Sequence, residues 1–119
     1  MIQKIGFPSL ESGIEGKLSA HFGHVASFTV VHYDKTENKI IKVENLANQG
    51  HTEGGCMAPV AVLEKAGVSD VVLGGIGMRP LMFFLQCGIN PYKGINGTIK
   101  ENLEAFLAGN LEKMTQGTC

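Results

Sequence analysis

Three short segments carry side chains that can bind metal or an anion. The first is His21-Phe22-Gly23-His24, two imidazoles three residues apart in a loop leading into a strand. A neutral imidazole nitrogen is available near pH 7 and suits transition metals. The spacing alone is a weak signal, because surface loop histidines, or one buried imidazole with a backbone partner, give the same pattern. The second is His51-Thr52-Glu53-Gly54-Gly55-Cys56, which joins a histidine, a carboxylate and a thiol. Cys56 stands at the expected start of a helix, where free amides and the macrodipole favour thiolate over thiol. Soft metals and metal–sulfur clusters need a thiolate; a cysteine packed as a small hydrophobe is the alternative. The third is Gly74-Gly75-Ile76-Gly77-Met78-Arg79-Pro80. Exposed amides of Gly74, Gly75 and Gly77 before a helix can hold an anion, and Arg79 adds a charge. Pro80 stands where the third glycine of G-x-G-x-x-G belongs, and the Walker lysine and hydroxyl are missing, so this is no nucleotide-binding fingerprint. A tight turn imposed by packing is the alternative there.

A scaffold must bring these segments together. Residues 2–7 form a short strand closed by Pro8, and residues 9–17 a loop. Residues 28–33 and 39–44 are β-branched and aromatic runs around the turn signal Asp34-Lys35-Thr36-Glu37-Asn38, hence a hairpin. Residues 45–55 are polar, without apolar period, and are expected to be a mobile loop. A helix over 57–66 stops at Gly67, with Pro59 confined to its first turn. Residues 70–73 are a buried strand. A helix over 80–87 opens on Pro80 and ends at Gly88, and residues 89–92 are a last strand. Thr98-Ile99-Lys100-Glu101 is a capping box, after which Ile99, Leu103, Phe106 and Leu107 share one helix face until Gly109-Asn110. Met78, Met82, Phe83, Phe84 and Leu85 are expected in the core, Cys87 in a structural role, and Cys119 on a frayed tail. The order β-β-β-α-β-α-β-α implies a three-layer α/β domain with a mixed sheet over residues 1–110, and a flexible tail over 111–119.

Composition narrows the function classes. A chain of 119 residues makes one domain, and 44% apolar with 18% charged residues makes it globular. A net charge of -1 gives no electrostatic case for nucleic acid or an anionic membrane. No apolar run is long enough to span a bilayer, and the first residues do not look like a signal peptide, so a cytoplasmic location is expected. Glycine, at 16 residues, is nearly twice the usual share of about 7% and is clustered, as where backbone approaches a ligand. Three dispersed cysteines without C-x-x-C argue against a disulfide framework and cannot supply a four-thiolate cage from one chain. There is no G-x-S-x-G or H-E-x-x-H. The first strand has no carboxylate, which speaks against a two-metal nuclease.

Three segments in this order resemble one family. They are Leu18-Ser19-Ala20-His21-Phe22-Gly23 leading into Phe28-Thr29-Val30-Val31, Gly54-Gly55-Cys56-Met57-Ala58-Pro59, and Val71 to Pro80 followed by Cys87-Gly88-Ile89 and Tyr92-Lys93-Gly94. Together they are similar to the dinitrogenase iron–molybdenum cofactor biosynthesis domain of NifX-like and NafY-like proteins and the NifB C-terminal region, over about residues 2–108. The resemblance implies a ribonuclease-H-like fold and carriage of a metal–sulfur cluster rather than catalysis. The cargo it implies is an iron–molybdenum cofactor precursor, or a molybdenum–copper sulfide cluster as in one small stand-alone relative. It marks His21, Cys56 and the Gly74–Arg79 turn as site candidates, whereas His24 and His51 rest on the ligand argument alone. The expectation is a non-enzymatic cluster carrier. Gly54, Gly55, Gly74, Gly75, Gly77 and Arg79 would cradle the cargo, and Cys56 with one of His21, His24 or His51 would bond to metal. Its partners would be cluster donor and recipient proteins, with a homodimer possible. The rivals are an adaptor binding a protein or small anion, and a nuclease suggested by fold alone.

Overall fold

A computed structural model describes residues 2–10, 13–19, 27–47, 57–74 and 78–114. Its elements are β1 (Ile2–Ser9), β2 (Ser27–Asp34), β3 (Lys39–Ala47), α1 (Met57–Lys65), β4 (Asp70–Leu73), α2 (Met78–Gln86), β5 (Asn90–Lys93) and α3 (Ile99–Leu107). The five strands form one sheet in the order β3-β2-β1-β4-β5. β2 runs antiparallel to both β1 and β3, while β1, β4 and β5 pair in parallel. The expected mixed sheet is therefore present, in an order compatible with a ribonuclease-H-like fold.

Alternation along the strands sorts the core into two layers. Phe28, Val30, Val71 and Leu73 pack with Val60 and Leu63 of α1 and Leu81 and Phe84 of α2. Ile5, Phe7, Val31 and Val72 face the other way, onto Ile99 and Leu103 of α3. β4 is buried along its whole length because helices cover both its faces. Gly6 lets α1 settle on β1: a Cβ there would lie 3.2 Å from Leu63 Cδ2. The capping box on α3 forms as expected, with Glu101 N donating to Thr98 Oγ1 at 3.1 Å and Thr98 N to Glu101 Oε1 at 2.8 Å.

Several boundaries differ from the sequence expectations. β1 continues through Pro8 to Ser9. The carbonyl of Pro8 accepts from Ser19 N at 2.8 Å, on the side away from β2. A strand residue's nitrogen lies on the same side as its carbonyl, so proline costs the β1–β2 ladder nothing. Pro91 in β5 is tolerated likewise, its carbonyl turned outward to Met114 N at 2.8 Å. β3 reaches Ala47, so residues 45–47 are strand rather than loop. α2 opens at Met78, with Pro80 inside the first turn, where no intrahelical donor is required.

The sequence places residues 111–114 in a flexible tail. Lys93 N donates to Glu112 O at 2.8 Å, and Met114 is buried in the core, so residues 111–114 belong to the domain. α2 turns one stripe inward, Leu81 and Phe84, and leaves Met82, Phe83 and Leu85 respectively 45%, 40% and 37% exposed. Three of the residues expected in the core are thus on the surface. Leu107, on the shared face of α3, is exposed, and so is Cys87, for which a structural role was expected.

Candidate functional site

The carboxyl ends of the parallel strands all lie at one end of the sheet. In the register, Ser9 of β1 sits opposite Ser27 of β2, and Ser27 opposite Ala47 of β3. Gly6 pairs with Val71, which brings Leu73, the last residue of β4, level with the end of β1. β5 ends beside it, Leu73 opposite Lys93. α1 and α2 both start at this end, because both finish at the other. After α1, Ser69 N donates to Lys4 O at 3.0 Å, and after α2, Asn90 N donates to Ser69 O at 3.0 Å.

This end is where the chemistry-bearing segments attach. The segment with His21 and His24 is bracketed by Ser19 and Ser27. That with His51, Gly54, Gly55 and Cys56 is bracketed by Ala47 and Met57, and that with Gly75 and Gly77 by Gly74 and Met78. These eight candidates lie outside the described residues. Of the remaining two, Gly74 is a half-buried bend directly after β4, and Arg79 is in the first turn of α2. The chain enters this end from β1, the central strand, from which neighbours run off on both sides. In open α/β sheets ligands bind outside the carboxyl ends of strands at such a switch point.

One flank of this end is closed by a polar network that the sequence reading missed. Thr29, buried, has its hydroxyl 3.0 Å from Ser9 Oγ and 3.3 Å from Asn45 Oδ1. Ser9 donates in turn to Ser27 O at 3.3 Å, and Gly13 N donates to Asn45 Oδ1 at 3.1 Å. The turn at 13–16 then caps α3: Ile99 N and Lys100 N donate to Gly16 O and Ile14 O, each at 2.8 Å. Free amides at that helix start are thereby satisfied by protein. Buried Asn102 fastens the neighbouring loop, accepting from Ile95 N at 2.7 Å and donating to Ile95 O and Thr98 O. Gly94 passes so close that a Cβ would stand 2.5 Å from Leu18 Cδ2 and 2.6 Å from Asn102 Oδ1. The sequence signal for this flank was the unbroken β period of Ser27-Phe28-Thr29 against Asn45-Leu46-Ala47, hidden by the polarity of Asn45.

Among the described residues, the displaced pKa values lie away from this end. A hydrogen bond from His32 holds the Glu44 carboxyl below its ordinary value. Amides of Glu37 and Thr36 lower Asp34 in the β2–β3 turn. A hydrogen bond with Glu64, with lesser desolvation, raises the Cys87 thiol. Among the described residues no three His, Cys, Asp or Glu side chains gather as a metal site, and no helix is long and apolar enough to cross a membrane.

Comparison with known proteins gives one family. The dinitrogenase iron–molybdenum cofactor family model matches residues 3–109. A protein of Methanocaldococcus jannaschii is 36% identical over 100 residues, 82% of each chain. Among solved structures, the apo form of the orange protein from Desulfovibrio gigas superposes with a TM-score of 0.84 at 22% identity, covering 100% of this chain and 98% of that one. A NifB-like protein from Thermotoga superposes with a TM-score of 0.79 at 24% identity, covering 98% and 97%. At these identities the two structures speak for the fold.

Proposed function

The chain belongs to the dinitrogenase iron–molybdenum cofactor family, and from that premise we propose that it binds and carries a metal–sulfur cluster without catalysing a reaction on it. Family membership supports involvement in iron–molybdenum cofactor biosynthesis; carriage of the cluster is our reading. The observation behind it is that three of the four histidines and Cys56 fall on segments attached to one end of the sheet. The donor set suits the cargo. Thiolate and imidazole bind iron, copper and molybdenum–sulfur centres, and glycine amides ahead of α2 meet the negative charge of a sulfide-rich cluster.

The cluster is cargo, so it must leave again. Cys56 and one of His21, His24 or His51 would supply one or two bonds to metal, and Gly54, Gly55, Gly74, Gly75, Gly77 and Arg79 a cradle of amides and one positive charge. Few protein bonds keep release to a recipient fast. An iron–molybdenum precursor and a molybdenum–copper sulfide both fit this set. The partners are donor and recipient proteins in the cytoplasm.

Anaerobic wild-type protein and Cys56→Ala, titrated with preformed clusters and followed by visible absorption and elemental analysis, test this. Stoichiometric uptake that weakens in the variant is expected. Colourless, metal-free samples from both would move a protein-binding adaptor to first place, a reading that the exposed Met82, Phe83 and Leu85 of α2 would then support.

A further inference from the structure

We propose that β3, over residues 42–44, pairs antiparallel with β3 of a second copy of this chain about a two-fold axis at Val43. The two edges of the sheet are finished differently. At β5 the chain returns after α3, and the edge is covered. Lys93 N donates to Glu112 O and Met114 N to Pro91 O, each at 2.8 Å, and Lys113 bridges to Tyr92. At the other edge, β3 has β2 as its single strand neighbour among the described residues. It is 9 residues long, and Lys39, Ile40, Ile41, Lys42 and Asn45 are exposed along it. Such an edge presents a row of amides and carbonyls to another strand.

Charge selects the partner and the register. In a two-fold antiparallel pair, residue i faces j while j faces i, and opposed residues share a face of the sheet. Centred on Val43, Lys42 faces Glu44 of the second copy, and the same pair forms again across the axis. Centred one residue earlier, Lys42 would face itself; centred one later, Glu44 would. Lys42 Nζ already lies 3.8 Å from Glu44 Oε2 within one chain, so pairing closes a square of alternating charge. Val43 meets its counterpart. The register shift opposite His32 and Tyr33 puts Ile41 in a bulge, which bends the strand and confines regular pairing to residues 42–44 of each copy. With β5 covered, the assembly stops at two copies. The Ala47 ends point away from each other across the axis, so each copy keeps its own candidate site. This inference does not depend on what that site binds.

Sedimentation of the full reduced chain over about 5–500 µM tests the pairing. A reversible dimer that weakens with salt is expected. Lys42→Glu should weaken association about tenfold, because two opposite-charge pairs become like-charge pairs. Lys42 is 62% exposed, so this variant folds as the wild type does. Glu44→Lys should weaken it similarly, with circular dichroism verifying the fold, since His32 loses its partner. An equal mixture of the two variants should recover the dimer, each pair then joining opposite charges. A wild type that stays monomeric throughout, or a Lys42→Glu protein that dimerises as strongly as wild type, overturns the proposal. The second outcome would move the contact to another surface, such as the exposed face of α2.

Discussion

The two ends of the sheet contrast in how their polar groups are used. At the end where β4 begins, every buried polar group answers another. Asp70 accepts from Gln3 Nε2 at 2.5 Å, Ser69 Oγ at 2.7 Å and Asn90 Nδ2 at 3.3 Å. Lys4 Nζ closes on Ala66 O at 3.2 Å. Gly67 and Gly88, at φ of 80° and 78°, turn the chain from helix back into strand. At the end where the parallel strands finish, Ser9, Thr29, Asn45 and Asn102 tie down strands and loops, and the histidine, cysteine and glycine segments attach at the same end. The first end does work for stability. The second is where the segments proposed to bind the cluster attach. Substitutions at the two ends should therefore separate stability from cluster uptake.

The largest stability loss is expected from Asp70→Ala. It leaves three side-chain donors around a buried position without their acceptor, a loss of about 3 kcal/mol. Urea denaturation should register it, while cluster uptake per folded molecule should equal that of wild type. Uptake that falls along with stability would mean the two ends are not separable.

Gly94→Ala should cost about 2 kcal/mol by overpacking, since Leu18 can swing away but Asn102 is fixed by its bonds to residues 95 and 98. Gly94 N donates to Leu73 O at 2.8 Å, beside Gly74. This variant should therefore reduce uptake too. Loss of stability with unchanged uptake would separate the polar network from the site.

The two helix ends carry a cysteine contrast. Cys87 follows the carboxyl end of α2, where Glu64 raises its thiol. Cys56 directly precedes α1, where a helix start favours thiolate. Limited alkylation at about pH 7, mapped by peptide mass, should modify Cys56 several-fold faster than Cys87. Equal rates would remove the case for Cys56 as the activated thiol.

Much of this was legible in the sequence because local signals agreed with the fold. The capping box at Thr98, the glycine stops at Gly67 and Gly88, and the all-apolar β4 each name a local structure that tertiary packing leaves in place. Failures came where a residue's meaning depends on a distant partner. Pro8 looked like a strand stop because the side its nitrogen faces is fixed only by Ser19. Asn45 looked like loop because the donors to its side-chain oxygen, Thr29 and Gly13, are remote in sequence. Met82, Phe83 and Leu85 looked like core because apolarity does not say how wide a stripe a helix can bury; among its described side chains α2 buries Leu81 and Phe84, three apart. For the candidate site, residue types marked the segments, and topology explains why three segments distant in sequence attach to the same end.

The smallest effect concerns the β2–β3 strand pair. The His32 hydrogen bond keeps Glu44 below its ordinary 4.5, which couples β2 to β3 across a register shift. A carboxyl whose folded value is depressed adds stability that is complete above its unfolded value and is lost as pH falls through the folded one. Wild type should thus exceed Glu44→Gln in denaturation midpoint at about pH 7, with the two converging near pH 3. Glu44 is solvent-accessible, so the difference should be small. Cluster uptake at neutral pH should be the same in both, because β3 reaches the site end through Asn45 and Ala47, which Glu44→Gln leaves paired with Thr29 and Ser27. A Glu44→Gln protein that folds normally but binds less cluster would show that β3 transmits strain along its length, and the two ends would then have to be treated as one coupled element.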